Sequence, residues 1–318
     1  MCHPSWLRLT AVALSILAVA SAGRAAYPDR PVKLIVPWAA GGDTDSIFRP
    51  FAQQLQKHLG ATVVITNVTG ASGTVGAREA KTSPPDGHTI YAVHDYIHST
   101  YYTGVADVAY TDFEPICTVS NTPSVLTASP KTKWSSWHEL LGDAKARPGQ
   151  ITVGATLGST SHFFPALIEK AAGIKFKYVS YEGLAPRMNA ILGGHIDLTD
   201  SNLTQKGKAD AGQLKFLAVA TEKRLADAPN VPTLKELGVN VVYAVTRGLM
   251  APKGTPADVI AKLEGACAKA TAEPKFAEDM AKQGTFVRFL DRKSYVEFLK
   301  QNDELNKTLA RDLGLLKR

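Results

Sequence analysis

Leu34-Ile35-Val36-Pro37-Trp38-Ala39-Ala40-Gly41-Gly42-Asp43-Thr44-Asp45 decides how this chain is read. An apolar run that reads as a buried strand gives way to two adjacent glycines, which permit positive φ and close backbone approach, and then to Thr44 and Asp45, either suited to cap a helix. Amide groups at such a helix start form a ready anion site. Val153-Gly154-Ala155-Thr156-Leu157-Gly158-Ser159-Thr160-Ser161-His162 repeats the layout of strand, small polar loop and helix. Two such loops can grip the two ends of one anion across a cleft; a bare turn at the first and simple N-capping at the second are the competing readings. The third glycine cluster, Gly70-x-x-Gly73-x-x-Gly76, lacks the spacing of a dinucleotide fingerprint, and no phosphate-binding G-x-x-x-x-G-K-[ST] occurs.

Working outward, β-branched runs alternate with helical patterns. Strands are expected over 32–36, 62–67, 88–93, 151–154, 177–180, 214–220 and 241–246. Helices are expected over 45–58, 136–146, 161–172, 185–192, 256–271 and 292–313. Strands separated by helices predict parallel α/β sheets. Proline-bearing stretches over 121–130 and 228–233 divide the chain into thirds, as when one lobe is inserted into another. The expected division is lobe 1 over 23–121 plus 232–318 and lobe 2 over 122–231.

The 318 residues are 45% hydrophobic and 20% charged, which excludes disorder. At the N-terminus, Arg8 precedes a 12-residue apolar run over 9–20 and then Ala20-Ser21-Ala22. That order is a secretory signal peptide over 1–22, and the run is too short to span a bilayer, which needs roughly 20 helical residues. Cleavage after Ala22 removes Arg8 and Cys2 and takes the net charge from +7 to +6. The mature protein is expected to be periplasmic. Cys117 and Cys267 remain, and in an oxidising compartment they are able to pair or to stay free.

Catalytic constellations are weak. Ser161 and His162 are adjacent at a helix start, where their side chains point about 100° apart, and no G-x-S-x-G elbow is present. His94 and His98 stand at i, i+4 with no third ligand signalled, and Asp197 and Asp200 lie three apart with nothing to mark an acid/base pair. Basic residues are interspersed with acidic ones, as in Asp291-Arg292-Lys293, so nucleic acid is not an expected partner. No metal, cofactor or enzymatic activity is expected.

The ordered motifs resemble those of the Bug-type receptors, the extracytoplasmic solute-binding proteins of tripartite tricarboxylate transporters. They run from Tyr27-Pro28-Asp29-Arg30-Pro31-Val32 through Val36-Pro37-Trp38-Ala39-Ala40-Gly41-Gly42 and Thr44-Asp45-x-x-x-Arg49. Pro84-x-Asp86-Gly87, Gly158-Ser159-x-x-His162, Tyr181-x-Gly183-x-x-Pro186 and Leu192-Gly193-Gly194-His195-Ile196-Asp197 follow. Ala251-Pro252-x-Gly254-Thr255-Pro256 closes the set. The resemblance implies an α/β, two-lobed periplasmic binding protein, a type II-like Venus flytrap with a hinge and an interlobe cleft. It implies a monomer that takes a small di-, tri- or aromatic carboxylate and hands it to the membrane subunits of a transporter. A sensor presenting its closed form to a signalling partner is the alternative, with an exported hydrolase a third.

By the same resemblance, Trp38, Ala40, Gly41, Gly42, Thr44 and Asp45 form one carboxylate loop. Gly158, Ser159, Thr160, Ser161 and His162 form the other, and Ser201 and Asn202 face the cleft. Tyr96 and Phe163 stand near these loops. Arg247 either neutralises a second carboxylate or makes a surface or interlobe salt bridge. Several positions depart from the family pattern. Asp43 lies inside the anion loop, where its charge repels a carboxylate unless it points away. Asp200 stands where an apolar residue is common, Ser201 where Asp is common, and the 153–158 loop is one residue short.

Overall fold

The structure, a computed structural model, describes residues 27–318; the expected signal peptide over 1–22 lies outside the described residues. The chain first lays down β1 (Val32–Val36), α1 (Asp43–Leu59), β2 (Val63–Asn67) and α2 (Thr74–Thr82). Then come β3 (Thr89–His94), α3 (Tyr96–Tyr102) and the long β4 (Phe113–Pro123). It crosses at Ser124 into a second unit: β5 (Val125–Ala128), α4 (Trp137–Ala146), β6 (Thr152–Ala155), α5 (Thr160–Ala172), β7 (Lys177–Ser180), α6 (Leu184–Gly193), β8 (Leu198–Ser201), α7 (Lys206–Asp210) and β9 (Lys215–Val219). It returns through β10 (Ala244–Pro252), α8 (Ala257–Ala272), α9 (Pro274–Ala281), β11 (Phe286–Val287) and α10 (Arg292–Asp312).

Two sheets result, one in the order β11-β4-β10-β3-β1-β2 and the other β7-β6-β8-β5-β9. They are mixed rather than purely parallel. β10 runs antiparallel to both β3 and β4, and β5 antiparallel to both β8 and β9, because a chain that crosses between sheets and comes back must enter each from the opposite end. Each sheet has its own core. Phe48, Phe51 and Phe276 are fully buried in the first, each contributing roughly 1.5–3 kcal/mol of apolar burial. Trp134, Trp137 and Phe164 anchor the second.

Leu234, Val239 and Val241 pack in that second core. The return crossing therefore lies near Tyr243, not at residue 231. There the two crossing segments run side by side: the Ser124 amide donates to the Tyr243 carbonyl at 3.0 Å and the Tyr243 amide to the Ala220 carbonyl at 2.9 Å. The last strand expectation shifts accordingly, from 241–246 to Ala244–Pro252, which places Arg247 inside a central strand instead of after one. Cys117 on β4 and Cys267 on α8 form a disulfide. Among the described residues no helix is long and apolar enough to cross a membrane.

Candidate ligand-binding cleft

The C-terminal ends of the strands carry loops that face each other between the sheets. At the first loop Gly42, not Thr44 or Asp45, is the residue that precedes α1. Asp45 works backwards instead: its carboxylate accepts the Gly41 amide at 2.9 Å, the Arg49 guanidinium at 2.7 and 2.9 Å and the Asn67 amide group at 2.9 Å, so it locks the loop and does not face the cleft. Ala40 and Gly41 are exposed. Gly42 holds the turn through a 3.1 Å hydrogen bond to the Ala39 carbonyl, and Thr44, fully buried, accepts from Arg247 Nε at 3.2 Å. Of this segment, Trp38 and Asp43 line the cleft. The Trp38 indole stacks on His94 with ring centroids 5.4 Å apart and meets Tyr96 edge-on at 5.1 Å. Tyr96 is 1% exposed and braces Trp38 from behind, its hydroxyl hydrogen-bonded to the Gly73 carbonyl.

At the second loop Gly158 takes φ +75° and Ser159 precedes α5. The Ser159 hydroxyl makes no capping hydrogen bond and lines the cleft with Thr160 and Ser161, which answers the simple-capping reading. Gly158 and His162 lie outside the wall; the Gly158 amide donates to His162 Nδ1 at 3.2 Å and shapes the loop. Phe163 is buried with Tyr102 and Ala310, where α3, α5 and α10 meet across the lobes. Ser201 and Asn202, at the end of β8, line the cleft.

Asp43, whose role the sequence leaves open, does not point away. It points into the cleft, because a cation waits there: its carboxylate accepts from Arg247 Nη2 and, from the other lobe, Asn202 Nδ2 at 3.2 Å. Burial raises its pKa, but Arg247, together with His94, Arg187 and the Thr44 amide, outweighs that and holds it below the usual carboxylate range. Arg247, 1% exposed, also donates to Thr44 Oγ1 at 3.2 Å and to Thr122 Oγ1 at 2.8 Å. The surface-salt-bridge reading of Arg247 is thereby excluded.

Sequence reading did not single out Arg187. It lies on α6, 5% exposed, and lines the cleft. Its Nη1 donates to Ser161 Oγ at 2.8 Å and Thr156 Oγ1 at 3.1 Å, and its Nη2 to the Asp200 carbonyl at 3.4 Å, while Nε has no acceptor. No carboxylate among the described residues forms an ion pair with it. Burial lowers its pKa, with the charges of Asp200 and Asp43 opposing. Asp200 is itself 7% exposed, its Oδ1 without a donor. Burial pushes its carboxyl up to about 7, partly offset by Arg187. Burial and Arg247 lower His94 to about 3, so its imidazole is neutral, with Nδ1 accepting the Tyr96 amide at 3.1 Å. His98 pairs instead with Asp303 at 2.9 Å, so the two histidines have separate roles. Among the described residues no cluster of three or more His, Cys, Asp or Glu is placed to hold a metal.

The free volume between the walls is about 30 Å³, room for about two waters at about 10–15 Å³ each. The lobes meet at the rim, where the Ser72 amide donates to Glu182 at 2.9 Å and the Ser72 hydroxyl to the Leu157 carbonyl at 3.2 Å.

Two α/β lobes closed over a polar cleft lined by hydroxyls, carboxyls and buried arginines define a solute-binding receptor of the periplasmic type. The chain belongs to the tripartite tricarboxylate transporter receptor family, whose model matches residues 47–315. It is similar to the solved periplasmic binding protein BugD, at 32% identity and a TM-score of 0.87 over 92% of this chain and all of that one. A Rhodopseudomonas palustris protein, Rpa4515, solved with adipate, is 28% identical with a TM-score of 0.86 over 91% of this chain and 98% of its own. MatC of the same organism, solved with malate, is 25% identical with a TM-score of 0.83 over 89% of this chain and 99% of its own.

Proposed function

We propose that the cleft captures a small organic carboxylate, closes on it without chemical conversion, and presents it to the membrane subunits of a tripartite transporter. The observation that carries this reading is the Arg187 guanidinium, buried in the cleft beside the Ser159–Ser161 loop with no carboxylate of its own. A buried charge of that kind calls for a partner that the fold does not supply. The malate and adipate bound by two relatives are of the matching class. Export with cleavage after Ala22 and action as a monomer belong to the same proposal. So does a division into lobes near residues 124 and 243, with Trp38, Asp43 and Arg247 facing Ser159, Thr160, Ser161, Arg187, Ser201 and Asn202.

With free volume for about two waters, entry requires the lobes to part. The test is a thermal-shift screen of the mature protein against mono-, di-, tri- and aromatic carboxylates. A ligand that binds only the folded state adds RT ln(1 + [L]/Kd), about 2.7 kcal/mol at a hundredfold excess over Kd. If none raises the melting midpoint, the reading fails.

A further inference from the structure

Four charged side chains face one another in the cleft, and they are not equivalent. Arg247 is already matched, since Nε, Nη1 and Nη2 donate to Thr44, Thr122 and Asp43. Arg187 is unmatched, and its Nε lacks an acceptor. Trp38 Nε1, on the opposite lobe, also lacks one. The Trp38 ring meets Gly183, the residue that precedes α6, along its Cε3 edge, while the Cζ2 edge beside Nε1 lies against Gly73 in the first lobe. Asp200 Oδ1 presents the reverse need, a buried acceptor without a donor.

We propose that the ligand is a monocarboxylate with a hydrogen-bond donor, an ammonium or a hydroxyl, at its other end, and that di- and tricarboxylates are disfavoured. This rests on the cleft being the carboxylate site proposed above. The ligand's carboxylate meets Arg187, and its donor meets Asp200. A second carboxylate finds no free cation, because Arg247 is able to receive it only by releasing Asp43, and it would face Asp200 as well.

Charge balance leads to the same class in either protonation state of Asp200. With Asp200 ionised, Arg187, Arg247, Asp43 and Asp200 sum to zero, and a zwitterion keeps the closed cleft neutral. With Asp200 protonated they sum to one positive charge, which a hydroxy-monocarboxylate cancels. A dicarboxylate leaves a buried excess of negative charge in both cases, and His94, being neutral, does not offset it.

The experiment is calorimetric titration of the mature protein with matched sets at each chain length from three to six carbons: the dicarboxylate, the ω-amino acid and the ω-hydroxy acid. Terephthalate, 4-(aminomethyl)benzoate and 4-hydroxybenzoate form an aromatic set. At the best-binding length the amino or hydroxy acid is expected to bind at least tenfold more tightly than the dicarboxylate, and Asp200→Asn to bring that ratio towards one. Preference for the amino acid assigns the ionised form of Asp200 and preference for the hydroxy acid the protonated form; both support the proposal. A dicarboxylate that binds as tightly or more tightly overturns it while leaving a carboxylate receptor in place, and failure of every acid to bind overturns both. The ligand series on the wild-type protein decides the matter even if the variant does not fold.

Discussion

Arg187→Met separates a ligand-binding arginine from a structural one, because the two roles predict opposite signs in the free protein. In a buried site, removing one member of a charge pair typically costs about 3–5 kcal/mol, since the other charge is left without compensation. If Arg187 is the counter-charge of the ligand carboxylate, Kd in the variant rises by a hundredfold or more. The unliganded protein responds differently. Thr156 Oγ1 still donates to the Tyr181 carbonyl at 2.8 Å and accepts the Gly183 amide at 3.0 Å, and Ser161 Oγ still accepts the Thr156 amide at 3.0 Å. No hydroxyl is orphaned, and a buried guanidinium that lacks a carboxylate partner is exchanged for an apolar side chain of similar length. Relieving that desolvation offsets the three lost hydrogen bonds, each worth about 1–3 kcal/mol. The melting midpoint of the free variant should therefore stay within a few degrees of wild type or rise. Differential scanning calorimetry and isothermal titration on the same preparations measure both quantities. A midpoint lower by 8 °C or more with an unchanged Kd would refute the reasoning and make Arg187 a structural residue.

Asp43→Asn leaves Arg247 buried without its anion and should destabilise the unliganded protein by about 1–3 kcal/mol in chemical denaturation. The same change should improve binding of a dicarboxylate relative to a monocarboxylate, since Arg247 is freed. Asp200 and Asp95 are carboxyls raised by burial, to about 7 and about 6, the latter opposed by hydrogen bonds from the Thr246 amide and Asn302. Their folded forms hold protons that the unfolded chain releases near pH 4, so the stability they contribute is full below about pH 4 and is lost as pH rises through 6 and 7. Asp200→Asn should therefore melt above wild type at pH 8, with the advantage shrinking towards pH 4; a constant gap contradicts the assignment. Reducing the Cys117–Cys267 bond, which spans 150 residues of sequence, should lower unfolding free energy by roughly 5 kcal/mol in the loop-entropy account, read from denaturation midpoints with and without reductant.

What the sequence makes legible are the places where backbone chemistry is local. Gly41-Gly42 after an apolar run, and Gly158-Ser159 before a helical pattern, announce strand-to-helix loops whatever lies around them, and both loops face the cleft. Side chains that acquire a role from distant partners are harder to read. Asp43 looks repulsive in its own loop because its cation lies 204 residues further on, and Tyr96 looks like a cleft aromatic because its hydroxyl partner Gly73 is not nearby in sequence. β8 (Leu198–Ser201) does not read as a strand, since it is only 4 residues long and carries Asp200, a poor strand former, yet its polar residues belong there because that strand ends in the cleft. One overlooked signal was available. In Leu184-Ala185-Pro186-Arg187-Met188-Asn189-Ala190-Ile191, Arg187 falls at i+3 from Leu184 and four before Ile191, both buried. A lone cation on the apolar face of a helix marks a group held inside for a reason other than solubility.

The distribution of these groups between the lobes bears on how the receptor closes. Arg187, Asp200 and Asn202 belong to the second lobe, and Trp38, Asp43 and Arg247 to the first. Apart from the buried α3–α5–α10 contact, direct polar ties between the lobes among the described residues are few: Asn202 to Asp43, Ser72 to Glu182 and Leu157, Thr103 to the Gly158 carbonyl, and the exposed Lys170–Asp312 pair. At about 0.5–1.5 kcal/mol net for each such bond, these ties favour closure by only a few kcal/mol, so an open form lies within thermal reach. A ligand shifts that balance only by its differential affinity for the closed form. A ligand held by Arg187 that also touches Trp38, Asp43 or Arg247 of the first lobe has that property, because the two walls come together only when the lobes do. A ligand bound by Arg187 alone would occupy the second lobe without closing it.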